Sequence, residues 1–192
     1  MLINKTTAAA LALALAATAS FNAQADDVAY GINLSGSTNA GFSAGLSPLT
    51  GASVNHQVSG AFTDTFTFTG YSGASIVDVW LDTSVSFGNE ATQQIVFTSA
   101  TLNGIALTID PAETFNKTVF RTAELVQQST SGPLVLVVTG YAGLLDDVSR
   151  QISASYSGGI NVAVSPVPEP APYAMLLAGL GAVGFIARRR TR

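Results

Sequence analysis

The sequence predicts an all-β fold, a β-sandwich of jelly-roll type set between two short apolar ends. Three observations carry this. Residues 61–69 alternate strictly, with Phe62, Asp64, Phe66 and Phe68 on one face and Thr63, Thr65, Thr67 and Thr69 on the other. That is the period of a half-buried strand. Asn103-Gly104 sits between two alternating runs, and a type I′ hairpin turn needs positive φ at both central positions, which Asn and Gly tolerate best. Only 10% of the chain is charged, glycines number 18 and cysteine is absent, which suits many short strands held together by packing alone.

In chain order, residues 28–34 form the first expected strand. Residues 35–53 are rich in Gly, Ser, Thr, Ala and Pro and read as a long loop with at most one short strand inside. Within residues 76–81, Val77, Val79 and Leu81 share one face, with Ile76, Asp78 and Trp80 on the other. Residues 94–102 and 105–109 are the arms of the Asn103-Gly104 hairpin. Residues 119–126 are open between strand and helix, because Ala123 to Gln128 read Ala-Glu-Leu-Val-Gln-Gln and favour a helix. Residues 134–141 are almost continuously β-branched and apolar, the pattern of a central strand covered on both faces. Residues 150–156 and 160–164 close the domain, with Gly158-Gly159 read as a hairpin turn between them. About eight strands spread over residues 26–165 make one domain, long enough to bury a substantial core.

The two ends have a different character. Residues 1–25 read as a secretory signal peptide: Lys5 supplies the basic region, residues 8–19 the apolar stretch, and Ala23-Gln24-Ala25 a small-x-small cleavage site. The mature chain is expected to begin at Asp26. At the other end, residues 166–172 are a proline-rich linker in which Pro166, Pro168, Pro170 and Pro172 hold the chain extended. Residues 173–187 are uncharged and mostly apolar and are expected to be a short transmembrane helix. As a helix they would rise about 22 Å, against a hydrocarbon core of about 30 Å, so Arg188 would have to snorkel and the bilayer to thin. Residues 188–192, with Arg188, Arg189 and Arg190, read as a basic cytoplasmic tail.

Pro168-Glu169-Pro170, the apolar segment and Arg188, Arg189 and Arg190 together resemble the PEP-CTERM sorting signal of Gram-negative bacteria. Phe62-Thr63-Asp64-Thr65-Phe66 is similar to the F-x-D-x-F motif of one PEP-CTERM subfamily, and residues 155–162 resemble that subfamily's closing strands. The resemblance implies processing near Pro168-Glu169-Pro170 by an exosortase, a membrane transpeptidase-like protease, and an association with exopolysaccharide and biofilm matrix. It also implies a strand for residues 119–126.

Charge limits the partners. Between residues 26 and 165, eleven Asp and Glu stand against Lys117, Arg121 and Arg150, leaving −8. Such a surface repels nucleic acid and anionic lipid and suits neutral glycans or cation bridging. Asp64 shares a face with phenylalanines, so it must be hydrogen-bonded, paired or metal-bound. Three readings stay open for it: an acceptor of backbone N–H groups that pins a loop, a calcium ligand, or a catalytic acid. Asp78 with Asp82, and Asp146 with Asp147, are carboxylate pairs that could bind calcium or run acid–base chemistry, but neither has calcium-loop spacing. His56, the single histidine, is expected in a surface loop, with no cysteines for a zinc site. Trp80, Tyr71, Tyr141 and Tyr156 could form a sugar-stacking platform, or simply pack. Ala174, Ala178 and Ala182 repeat every four residues and give the tail helix a small-residue stripe.

The expectation is therefore an exported, non-enzymatic protein with no cofactor and no metal site. It would be held at the membrane by its C-terminal helix until processed, and then released to the cell surface or extracellular matrix. A polysaccharide-binding module is the alternative, and a secreted hydrolase the remote one.

Overall fold

The computed structural model describes residues 25–46, 54–147, 149–165 and 171–190. The expected leader, including Ala23, and the motif Pro168, Glu169 and Pro170 lie outside the described residues. The rest is mostly strand, arranged as two sheets that enclose one core. The first sheet runs β1 (Ala29–Asn33), β5 (Gly60–Thr69), β12 (Leu134–Ala142), β7 (Ile95–Leu102) and β8 (Ile105–Ala106). The second runs β10 (Glu113–Phe115), β11 (Thr118–Thr130), β6 (Ser75–Ser86), β13 (Gln151–Val164), β3 (Gly41–Leu46) and β2 (Ser35–Ser37), with β4 (Val54–Val58) also on β13 and β9 (Thr108–Ile109) on β11. This is a sandwich-like all-β architecture.

Alternation explains which side of each strand faces inward. β5 buries Phe62, Asp64, Phe66 and Phe68 and turns its threonines outward. β6 buries Val77, Val79 and Leu81. Together with Leu134, Leu136 and Val138 of β12 and Ile160 and Val162 of β13, these rows form a single cluster. Each fully buried Val, Leu, Ile or Phe contributes about 1.5–3 kcal/mol of transfer free energy. Tyr156 joins the two layers, standing edge-on to Phe66 at 6.5 Å and to Phe97 at 5.4 Å between ring centroids. The hairpin between β7 and β8 turns at Asn103 (φ 50°) and Gly104 (φ 81°), as a type I′ turn requires.

In three places the structure differs from the sequence reading, and in a fourth, residues 119–126, it decides between the two alternatives left open. Residues 35–46, expected as loop, form the hairpin β2–β3, because small Gly and Ser residues can pair at a sheet edge without a strong apolar signal. Residues 119–126 are strand, within β11, because pairing to β6 along its length outweighs local helix propensity. β12 is central between β5 and β7, but its residues alternate buried and half-buried, so only one of its faces meets the core. Gly158-Gly159 is no turn: β13 runs straight through it for 14 residues. A Cβ on Gly158 would strike the Trp80 carbonyl oxygen, and one on Gly159 would strike the Trp80 ring. These glycines permit close approach rather than reversal.

A four-residue helix, α1 (Glu90–Gln93), links β6 to β7, and the tail forms α2 (Ala171–Arg190). No described α2 residue joins the core cluster, and Met175, Leu176, Leu177, Leu180, Val183, Phe185 and Ile186 are exposed. The expected transmembrane segment lies within α2. Among the described residues, however, no helix is long and apolar enough to cross a membrane. Pro172 at one end and the arginines at the other confine the apolar stretch, and Gly179, Gly181 and Gly184 dilute it.

Candidate functional site

The centre of the F-x-D-x-F run is a buried polar cluster. Asp64 points from β5 between Phe62 and Phe66, with no side-chain exposure. Its Oδ1 accepts the Val28 N–H at 2.9 Å. Its Oδ2 accepts the Tyr156 hydroxyl at 2.7 Å and lies 3.1 Å from His56 Nε2. Each partner comes from a different element: Val28 from the segment leading into β1, Tyr156 from β13, and His56 from β4. The carboxylate therefore ties three remote stretches of chain to one point, as a buried charge must be tied to be tolerated.

Proton accounting sets the histidine's state. His56 Nδ1 is 2.9 Å from the Asp26 carbonyl oxygen, which can only accept, so Nδ1 carries a hydrogen. One proton then lies between Nε2 and Asp64 Oδ2, and the pair is neutral as a unit whichever atom holds it. The imidazole stacks on Phe62 at 4.2 Å between ring centroids. Burial, followed by the charge and the hydrogen bond of Asp64, raises the Tyr156 phenol far above its ordinary value. His56 is thus a core residue and not the surface-loop residue expected. The signal available in sequence was the alternation of Val54, His56 and Val58 against Asn55 and Gln57.

Around this cluster the N-terminal segment is held at several points. Ala25 N–H donates to Ala61 O at 2.7 Å, Thr65 N–H to Val28 O at 2.8 Å, and Thr63 N–H to Asp27 Oδ1 at 2.8 Å. β1 then continues parallel to β5 from Ala29 opposite Thr65. Ala25 itself is buried. Chemically the cluster is a latch. Its groups are sealed from solvent and already bonded to one another.

The other sequence candidates do not converge. Asp78 and Asp82 both lie on the outer face of β6. Four residues of strand separate them by about 13 Å, beyond the roughly 5–9.5 Å of paired glycosidase carboxylates. Asp78 accepts the Gln127 N–H at 2.7 Å and so fixes a bulge in β11, where Gln127 has φ 52°. Asp82 accepts the Ser157 hydroxyl at 2.8 Å, and Asp147 pairs with Arg150 at 2.7 Å on the surface. Among the described residues no three His, Asp or Glu side chains converge on a metal position. The aromatics separate as well. Tyr156 is in the core, Tyr71 stacks on Phe42 at 4.8 Å, and the Tyr141 hydroxyl donates to Leu145 O at 3.2 Å. Tyr71 and Tyr156 line cavities of about 550 and 190 Å³, while Trp80 lines one of about 670 Å³ in the company of Tyr30, Asn33 and Asn161, which no local pattern had singled out.

On the tail, Arg188 and Arg189 are exposed near the end of α2, as are Ala178 and Ala182. Residues 166–190 match the PEP-CTERM protein-sorting motif. No curated protein and no solved structure matches the chain. The motif supports an exported protein sorted by an exosortase, a membrane protease, through its C-terminal end.

Proposed function

We propose that the chain is a non-enzymatic surface or matrix protein, delivered outside the cell and processed by an exosortase-type membrane protease near Pro168, Glu169 and Pro170. The F-x-D-x-F subfamily is its place within that group, and exopolysaccharide and biofilm are its surroundings. The match over residues 166–190 carries the reading. Two structural observations support it: among the described residues, α2 contributes nothing to the core and its large apolar side chains are exposed. A helix of that kind needs a lipid or protein partner. Short as it is, α2 would hold the chain at the membrane through the apolar stretch and the arginines until cleavage.

Deleting residues 168–192 tests this. Cell fractionation should show the truncated protein diverted from the surface or released to the medium. Surface retention equal to that of the intact chain would remove the reading.

A second reading, a polysaccharide-binding module, is favoured by one observation. Trp80 stands partly exposed on the outer sheet face beside a cavity of about 670 Å³.

A further inference from the structure

β1 is the edge of the first sheet, and β3 beyond Ser43 is an edge of the second, since β2 pairs only with Gly41 to Ser43. A cavity of about 670 Å³ opens where these edges meet, lined by Tyr30, Asn33, Ser35, Ser43, Trp80 and Asn161 together with backbone of both strands. Its size lies within the roughly 300–1,000 Å³ of small-ligand sites. A second cavity of about 240 Å³ shares Ser43 and Asn161 and extends to Asp78. The two cavities adjoin at these shared residues, and a groove of that extent suits a chain-like ligand more than a compact one.

The lining defines the ligand chemistry. Trp80 lies directly across Gly159, where any side chain would meet its ring, so glycine in the middle of β13 lets the indole lie on the sheet while it remains 42% exposed. A flat, partly wet aromatic surface stacks on an apolar ring face. Asn33, Ser35, Ser43 and Asn161 make no side-chain hydrogen bond among the described residues, so their donors and acceptors are available to a ligand. Among the described residues, none that lines the larger cavity is charged. The charges around it are acidic: Asp78 in the smaller cavity, and Glu124 paired beside Trp80 on β11. The site therefore offers stacking and hydroxyl-matching groups within a negative field, which turns anions away.

We propose that this groove binds a stretch of neutral polysaccharide, with Trp80 stacked on one sugar ring and Asn161, Ser43, Ser35 and Asn33 bonding its hydroxyls. The proposal deepens the polysaccharide-binding reading and rests on it.

Trp80 is the single tryptophan of the chain, so its emission reports on the site directly. The mature protein is titrated with soluble neutral glycans (a β-glucan, a galactomannan and a dextran) and with an anionic one (alginate), and each is also cast into native gels to read retardation. At least one neutral glycan should shift or quench Trp80 emission to saturation and retard the protein, while alginate does neither. Trp80→Ala should weaken retardation tenfold or more, and Asn161→Ala about threefold, with circular dichroism and melting temperature showing that both variants are folded. Should Trp80→Ala fail to fold, Asn161→Ala and Ser43→Ala carry the test. Retardation unchanged in the variants would overturn the groove and leave polysaccharide binding standing. No retardation by any glycan would overturn both. Binding of alginate in preference to neutral glycans would overturn the ligand chemistry.

Discussion

Asp64 meets no water, yet every lone pair direction it needs is met by a donor from elsewhere in the chain. Removing it strands three partners in a sealed interior. Asp64→Ala should therefore cost about 3–5 kcal/mol, as breaking buried pairs does, measured by urea denaturation of the mature protein. Phe62→Ala, which also removes the ring beneath His56, should cost about 3–5 kcal/mol. A loss below about 1 kcal/mol in either variant would show that this face is not packed. Tyr156 gives a pH signature whose sign is fixed. Unfolded, the phenol ionises near pH 10; folded, burial and Asp64 hold its proton well past that. Its stabilising share is complete below about pH 10 and declines as pH rises further, because only the unfolded chain gains by deprotonation. Denaturation midpoints should fall between about pH 10 and 11.5, by up to about 1.4 kcal/mol per pH unit from this group. Tyr156→Phe should remove that component and lower the plateau by about 1 kcal/mol. Equal slopes in the two proteins would contradict the assignment.

At the scale of elements, two glycine-containing dipeptides separate what the sequence could show from what it could not. Asn103-Gly104 is a turn because both residues take positive φ, and two alternating arms announce it. Gly158-Gly159 looks like the same signal, yet it sits inside β13 for a reason that lies 79 residues away, in the backbone and ring of Trp80. Local pattern records φ preference and alternation. It does not record which neighbour presses on a strand. The same blindness hid the partners of His56, Asp26 and Asp64, which lie on other elements, and the groove, whose lining is gathered from β1, β3, β6 and β13. Alternation made β5 and β6 legible, while the Ser- and Gly-rich β2–β3 hairpin carried no apolar row to announce it. Gly104→Ala forces a Cβ into a left-handed turn and should cost about 1–3 kcal/mol with the fold retained. Gly159→Ala should displace the indole, costing about 1–3 kcal/mol and shifting Trp80 emission. Unchanged emission would mean that the ring does not lie across β13.

The whole molecule reads as a self-contained β domain with an appended tail. Its core draws on both sheets and takes nothing from α2 among the described residues. The latch has a bearing on export. Asp26, Asp27 and Val28, which His56, Thr63 and Asp64 bind, are the first residues that remain after a cut at Ala25. The new N-terminus would be fixed on the strand that carries the F-x-D-x-F run. The tail match and the exposed apolar helix support processing at the C-terminal end, and residues 1–25 are expected from their sequence to be removed at the other. The intact mass of the protein recovered from outside the cell tests this most directly. The account predicts a species starting near Asp26 and ending upstream of Tyr173. A mass equal to the full 192 residues, found outside the cell, would contradict it.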